Sequence, residues 1–468
     1  MNIHKNFFAH ILINPKFCIS LIFLIGTSVR LIYLYLNTTL EITNVWPSIS
    51  RETLEGANKS ILNKILDGSA YKYGDFNEKF IAGHERGLFY LHSFFAYLFG
   101  ESKHLYVQIT NLLIDSFMIF VIFYISKKLK NAKFGLICSL IYACFLPQIY
   151  VASQPTYDCY LTFSLLLMIS LTIKLFYEKE NYSSIFFIFL TLLIFNEFRS
   201  VIAFYGIFSA LLLFFFLKSE TEKKKILLLF SVSILAIILS SLMNFKFRGE
   251  FQPIRSSAGH QFFSGLSQFD ISGIGPGGDA ASYRYYVEKS GKKPDHIMSD
   301  SYNDFLEKEA IKYILDKPVI YLRICFQRIA KIIFPNIMAS FIADDTAYWN
   351  QILTDHSNKR EIYYSEHGRF SYKGLQFLVI QEPLHYSFTF FLRVFLMILF
   401  PLCIYSVYKD IKNINTLISS IPLFYFIVFL TPLSVKPILL NSLYASQIPL
   451  ILLGLNFTIS HIRKKNEK

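Results

Sequence analysis

The sequence predicts an all-α polytopic membrane protein with about ten transmembrane helices, two long extracytoplasmic loops and both termini in the cytoplasm. Three observations predict it. Of 468 residues 53% are hydrophobic and only 17% charged, with mean hydropathy +0.40, unlike a disordered chain or a soluble enzyme. Apolar runs recur that are long enough for a core of about 30 Å, which a helix of about 20 residues spans. Lysine and arginine collect in every second short loop, as in cytoplasmic loops.

In chain order the candidate spans are 17–36, 105–126, 134–153, 158–177, 183–198, 200–217, 226–244, 385–408, 414–431 and 438–460. None alternates polar and apolar residues as a barrel strand does, so their backbone groups are satisfied within helices. The first run follows a moderately basic segment ending at Lys16 and has no small-residue cleavage site. It reads as a retained helix rather than a signal peptide.

The basic loops carry Lys127, Lys128, Lys130 and Lys133, then Lys179, then Lys218, Lys223, Lys224 and Lys225, then Lys409 and Lys412. The tail adds Arg463, Lys464, Lys465 and Lys468, whereas the opposite short loops, 153–157 and 431–437, hold a single Lys436. The net charge of +13, from 46 Lys and Arg against 33 Asp and Glu, is thus mostly a matter of topology. Nucleic acid is not an expected partner; membrane lipid is.

Three regions follow: 1–244, with a first outer loop at about 37–104; a large outer loop, 245–384; and 385–468, the last helices and the basic tail. The first loop contains a short apolar helix, 88–99, too short to span. In the second, 302–333 has helical periodicity, with apolar residues interleaved with Arg323, Arg328 and Lys331. That pattern predicts an amphipathic helix along the membrane surface, interrupted at Pro318. The six cysteines are scattered, with neither a disulfide framework nor a CxxC metal site. Usage rich in Lys, Ile, Asn and Phe suggests an AT-rich bacterial genome and hence the inner membrane.

Candidate chemistry lies in the outer loops. Glu52 and Glu55 are three apart, on one face if helical. A carboxylate at the membrane face, its pKa raised by partial desolvation, could act as a base toward an acceptor hydroxyl; by spacing alone, the solvated face of a short surface helix accounts for the pair more readily. In His84-Glu85-Arg86, Glu85 could bind a divalent cation and Arg86 a lipid phosphate, or the two could be one solvated pair. Arg255 and His260 open the second loop, and imidazole with Glu85 would suit zinc or manganese. The stretch Gly273-Ile-Gly-Pro-Gly-Gly278 matches GxGxxG, but no strand precedes it and Pro276 interrupts it, so it is a turn. Ionisable residues in or beside spans are Arg30, Asp158, Lys174, Glu197, Arg199, Arg393 and Lys436, all near predicted ends. With no mid-span carboxylate and no broken helices expected, the pattern speaks against a proton-coupled transporter.

The layout resembles the GT-C class of integral-membrane glycosyltransferases, of the protein mannosyltransferase and lipid A aminoarabinose transferase type. The likeness rests on Arg30 ending the first span, the acidic Glu52 and Glu55, and His84-Glu85-Arg86-Gly-Leu-Phe-Tyr beside the family's acidic-basic-Pro-Pro-Leu-aromatic stretch. It also includes Leu98-Phe-Gly100, Pro147, Asp158 and Asn196-Glu-Phe-Arg199. Its most specific match is Glu309-Ala-Ile-Lys-Tyr-Ile-Leu-Asp-Lys-Pro318-Val-Ile-Tyr-Leu. Two departures stand out: the chain has Glu where the family's base is Asp, and Gly87-Leu88 in place of Pro-Pro. The resemblance implies transfer of a sugar from a polyprenyl-phosphate carrier to a glycan, lipid or protein acceptor, with inversion, at the outer face. It assigns Glu55 or Glu52 as base, Glu85 and His260 to a divalent metal ion or the acceptor, and Arg86 and Arg199 to phosphate; Arg255 joins these as a further phosphate candidate. Alternatives are a polymerase or ligase of envelope polysaccharide, using Arg255, His260 and Arg369, and a transporter of lipid-linked sugar.

Overall fold

The computed structural model describes residues 14–39, 63–64, 67, 69–70, 86–100, 103–177, 182–249, 251–252, 258–267, 272–274, 279–294, 299–333, 383–433 and 437–466. Among them every regular element is helical. In order they are α1 (Pro15–Thr39), α2 (Arg86–Phe99), α3 (His104–Leu129), α4 (Ala132–Ala143), α5 (Leu146–Ser153), α6 (Cys159–Tyr177) and α7 (Tyr182–Phe198). A 3-10 turn, Ser200–Ile202, leads to α8 (Tyr205–Phe216), α9 (Glu220–Arg248), α10 (Ala258–Leu266), α11 (Asp279–Ser290), α12 (Asp300–Asp316) and α13 (Pro318–Ile333). The last are α14 (Pro383–Asp410), α15 (Ile414–Tyr425), continued by a π-helical turn at Phe426–Leu430, and α16 (Pro437–Asn466).

A helix lies at each of the ten expected positions, but they are not alike. Among the described residues five helices, namely α1, α3, α6, α9 and α16, are long and apolar enough to cross a membrane; α4 with α5 adds a sixth if that bent pair is one span. The helices at 183–198, 200–216 and 414–430 are apolar but shorter. The chain thus has the helices of a membrane protein, but among the described residues five or six candidate spans are found where about ten were expected.

Local sequence explains the ends. Ser219 caps α9 with a capping box: its hydroxyl accepts from the Glu222 amide while the Glu222 carboxylate accepts from the Ser219 amide. Gly249, at φ 80°, closes the same helix in the left-handed region. Asn131 caps α4 by accepting from the Phe134 amide at 2.9 Å. Pro147 explains the 53° bend between α4 and α5. Its ring would strike the Ala143 carbonyl, and it has no N–H to bond it, so a continuous helix is excluded there.

The core is centred on α6, where Cys159, Leu161, Phe163, Leu165, Leu166, Met168 and Ile169 are all buried. It packs against α3, α7 and α16. α1 turns Leu24, Ile32 and Tyr35 outward, as a helix facing lipid does. A second, smaller cluster joins Phe263 and Leu266 of α10 to Tyr302, Leu306 and Ala310 of α12. The interruption expected at Pro318 is found, dividing α12 from α13. The six cysteines are all free.

Candidate functional site

Four polar residues on one face of α3 organise the interior: His104, Gln108, Asn111 and Asp115, spaced four, three and four apart. The deepest, Asp115, is fully buried near the middle of the helix. It accepts from Arg30 Nε at 2.7 Å, from the Tyr142 hydroxyl at 2.6 Å and from Gln148 Nε2 at 3.0 Å. Arg30 Nη2 also lies 2.7 Å from Asp115. Thr162 donates to Gln148 Oε1 at 2.9 Å. Arg30 Nη1 in turn donates to the Gly26 carbonyl at 3.0 Å and to the Ala143 carbonyl at 2.9 Å. The Ala143 acceptor is the one Pro147 leaves free, so the bend and the buried charge complete each other.

This finding corrects one expectation: a mid-span carboxylate is present, beside one bent helix pair. Asp115 is absent from the ionisable residues read from the sequence; its place in a polar stripe on an apolar helix was the available signal. Its chemistry is that of a lock. A carboxylate offers about four lone-pair sites; three hydrogen bonds and the close charge of Arg30 Nη2 hold it.

Above the lock, α3 holds the chain between α5 and α6. Gln108 donates to the Ser153 carbonyl at 2.9 Å, and Asn111 to those of Gln154 at 3.0 Å and Thr156 at 3.2 Å. The Tyr160 hydroxyl returns a bond to Asn111 Oδ1 at 2.8 Å. The loop thus fixed presents Tyr157 and Asp158 to Arg199. Asp158 forms an ion pair with Arg199, whose guanidinium lies 4.4 Å from the centre of the Tyr157 ring.

Arg199 follows directly on α7, and Glu197 at the end of that helix pairs with Arg86, the first residue of α2. Arg86 Nε is 3.0 Å from Glu197 Oε2 and Nη2 donates to Oε1 at 3.2 Å. Nη2 also reaches Asn244 Oδ1 of α9 at 2.5 Å, and the guanidinium lies 4.8 Å from the Phe247 ring centre. Arg86 is 2% exposed, and its Nη1 has no hydrogen-bond partner among the described residues. Gly87 makes this approach possible: a Cβ there would fall 2.7 Å from Phe198 Cγ and 2.9 Å from the Glu197 carbonyl carbon. Phe198 itself stacks on Tyr160 at 3.9 Å between ring centres.

One corner therefore gathers Arg86, Arg199, Asp158 and Glu197, two cations and two carboxylates from α2, α7 and the segments that precede α6 and follow α7. On α2, His92 packs edge-on to His104 at 5.5 Å. Burial, with the His104 charge second, pushes its pKa down to about 3. His260 lies in the α10–α12 cluster, with Nδ1 2.9 Å from the Tyr302 hydroxyl and its amide donating to Asn303 Oδ1 at 3.0 Å. Glu52, Glu55, Glu85 and Arg255 lie outside the described residues. Among the described residues no three His, Cys, Asp or Glu side chains gather as metal ligands.

The models of known protein families yield no match to this chain, and neither do the curated proteins.

Proposed function

We propose that the chain is an inverting glycosyltransferase of the bacterial inner membrane that moves a sugar from a polyprenyl-phosphate carrier to an acceptor hydroxyl at the outer face. The observation that carries this reading is the pairing of Arg86 with Glu197 and of Arg199 with Asp158 at the end of α7, the Arg86 guanidinium retaining a buried N–H with no partner among the described residues. A guanidinium fork suits phosphate oxygens. The phosphate that leaves a glycosyl donor needs its charge neutralised more than it needs a proton.

In this scheme Glu55 or Glu52 takes the proton of the acceptor hydroxyl as its oxygen bonds the anomeric carbon. The bond from that carbon to the phosphate oxygen breaks on the opposite side, and the electron pair leaves with the polyprenyl phosphate. Arg86 and Arg199, held in place by Glu197 and Asp158, stabilise the departing charge, with Arg255 as a third candidate. Ten spans, cytoplasmic termini and two outer loops belong to the same proposal.

The test is transfer by the full chain in proteoliposomes supplied with polyprenyl-phosphate hexoses and pentoses. Glu55→Gln or Glu52→Gln should abolish transfer. If each variant alone transfers as well as the parent, the base assignment is wrong. Undecaprenyl phosphate should raise the melting temperature of the parent chain, and Arg86→Gln should remove that protection.

A second reading has one observation in its favour: Asp115 sits at mid-span beside a broken helix, as in transporters of lipid-linked or soluble cargo. Movement of labelled carrier across the bilayer with no sugar transfer would support it instead.

A further inference from the structure

α13 joins the helix bundle on one side, and on the other its large apolar side chains are exposed. Ile324, Arg328 and Ile332, four apart, are buried. Arg328 Nη1 donates to the Thr431 carbonyl at 2.6 Å and to that of Pro432 at 3.0 Å. The Tyr321 hydroxyl donates to the Pro432 carbonyl at 2.9 Å, and Tyr444 of α16 donates to the Ile332 carbonyl at 3.1 Å. The carbonyls of 431 and 432 lie just past the π-helical turn that ends the 414–430 segment. A cation there meets the negative end of the helix, and α13 is fixed at the level where that apolar helix stops.

On the opposite face, by helical geometry, lie Val319, Leu322 and Phe326, exposed to 77%, 56% and 68%. Ile311 and Leu315 of α12 continue the row at 45% and 74%. Five large apolar side chains are thus exposed along two consecutive helices. Exposed charges within 311–326 are Lys312, Lys317 and Arg323 against Asp316 alone. An apolar row bordered by cations, at the level where the apolar 414–430 segment ends, matches the boundary between acyl chains and anionic headgroups.

We propose that this face of α12 and α13 is a docking surface for an anionic lipid leaflet. The exposed apolar side chains enter the acyl boundary, and Lys312, Lys317 and Arg323 select negatively charged headgroups over zwitterionic ones. Through Arg328 the same helix grips residues 431 and 432, so lipid held by α13 bears on the end of the interrupted 414–430 segment. This surface is separate from the Arg86–Arg199 corner and does not depend on any transfer reaction.

The test uses the full chain in nanodiscs, with Phe326→Trp as reporter and the parent chain as the fluorescence background. Brominated phosphatidylcholine and brominated phosphatidylglycerol should both quench the added fluorescence. At equal mole fraction the glycerol lipid should quench several-fold more strongly, since a basic residue near an anionic surface strengthens association roughly fivefold. The triple substitution Lys312→Gln, Lys317→Gln, Arg323→Gln should bring that ratio close to one. Quenching by neither lipid, in a variant that melts with the parent, would overturn the docking; the face would then meet protein or water. Equal quenching by both would overturn the selection for anionic lipid. Leu322→Trp offers a second reporter position should Phe326→Trp not fold.

Discussion

Replacing Asp115 by Asn keeps the shape of the side chain and removes its charge, leaving the Arg30 guanidinium buried with only the Gly26 and Ala143 carbonyls as strong acceptors. Breaking a buried pair in this way costs about 3–5 kcal/mol, and the two guanidinium contacts at 2.7 Å place this pair in that range. Arg30→Met should cost a similar amount, because Asp115 would then keep its charge with only the Tyr142 hydroxyl and the Gln148 amide donating to it. The double variant removes both charges. The amide oxygen introduced at position 115 could still accept from Tyr142 and Gln148, so the cost of the double variant should fall below that of either single change. The assay is equilibrium unfolding in mixed detergent, supported by melting temperature, on parent, both singles and the double. The coupling should then exceed the larger of the two single losses, that is, be about 3–5 kcal/mol or more. If the two single losses simply add, the pair is no lock.

Gly87→Ala should force α2 from α7, because the new Cβ would meet the Phe198 ring and the Glu197 backbone. A loss of about 1–3 kcal/mol is expected, together with a weaker thermal shift from undecaprenyl phosphate. His92 adds a pH dependence of known sign. Its folded pKa of about 3 lies below the ordinary value of 6.5, so the unfolded chain alone takes up a proton as pH falls below 6.5. Stability should then drop by about 1.4 kcal/mol per pH unit down to pH 3; His92→Phe should remove that slope, and parallel curves for the two chains would refute it. Ser219→Ala should cost about 1 kcal/mol through loss of the α9 cap, read as earlier proteolysis in the 218–225 region.

Much of the fold was legible because burial in lipid demands long apolar helices, and such helices announce themselves in composition. Pro318 marked the division of α12 from α13, and 88–99 read correctly as a short helix. What composition does not carry is continuity. The 134–153 run is apolar throughout, yet Pro147 divides it into two helices at 53°. Pairing is hidden for a different reason. Arg86 and Glu197 lie 111 positions apart, and nothing local in either segment points to the other. Asn244 and Tyr157 owe their places at the corner wholly to the packing of α9 and of the 153–157 loop. The proposed base, Glu52 or Glu55, rests on its spacing and on the family likeness.

The lock between α1 and α3 also bears on how the chain enters the membrane. Arg30 and Asp115 are 85 positions apart, and a ribosome adding about 5–20 residues per second separates them by roughly 4–17 s. Through that interval α1 carries a guanidinium with no counter-ion, a burden that reaches about 2.5–3.5 kcal/mol at a helix centre and is smaller toward the span end where Arg30 lies. The first helix is therefore a poor anchor by itself, and its lasting residence in the bilayer begins when the third helix is synthesised. Chains halted before residue 115 should remain beside the insertion machinery or be degraded, while those halted after Gln148 should leave it.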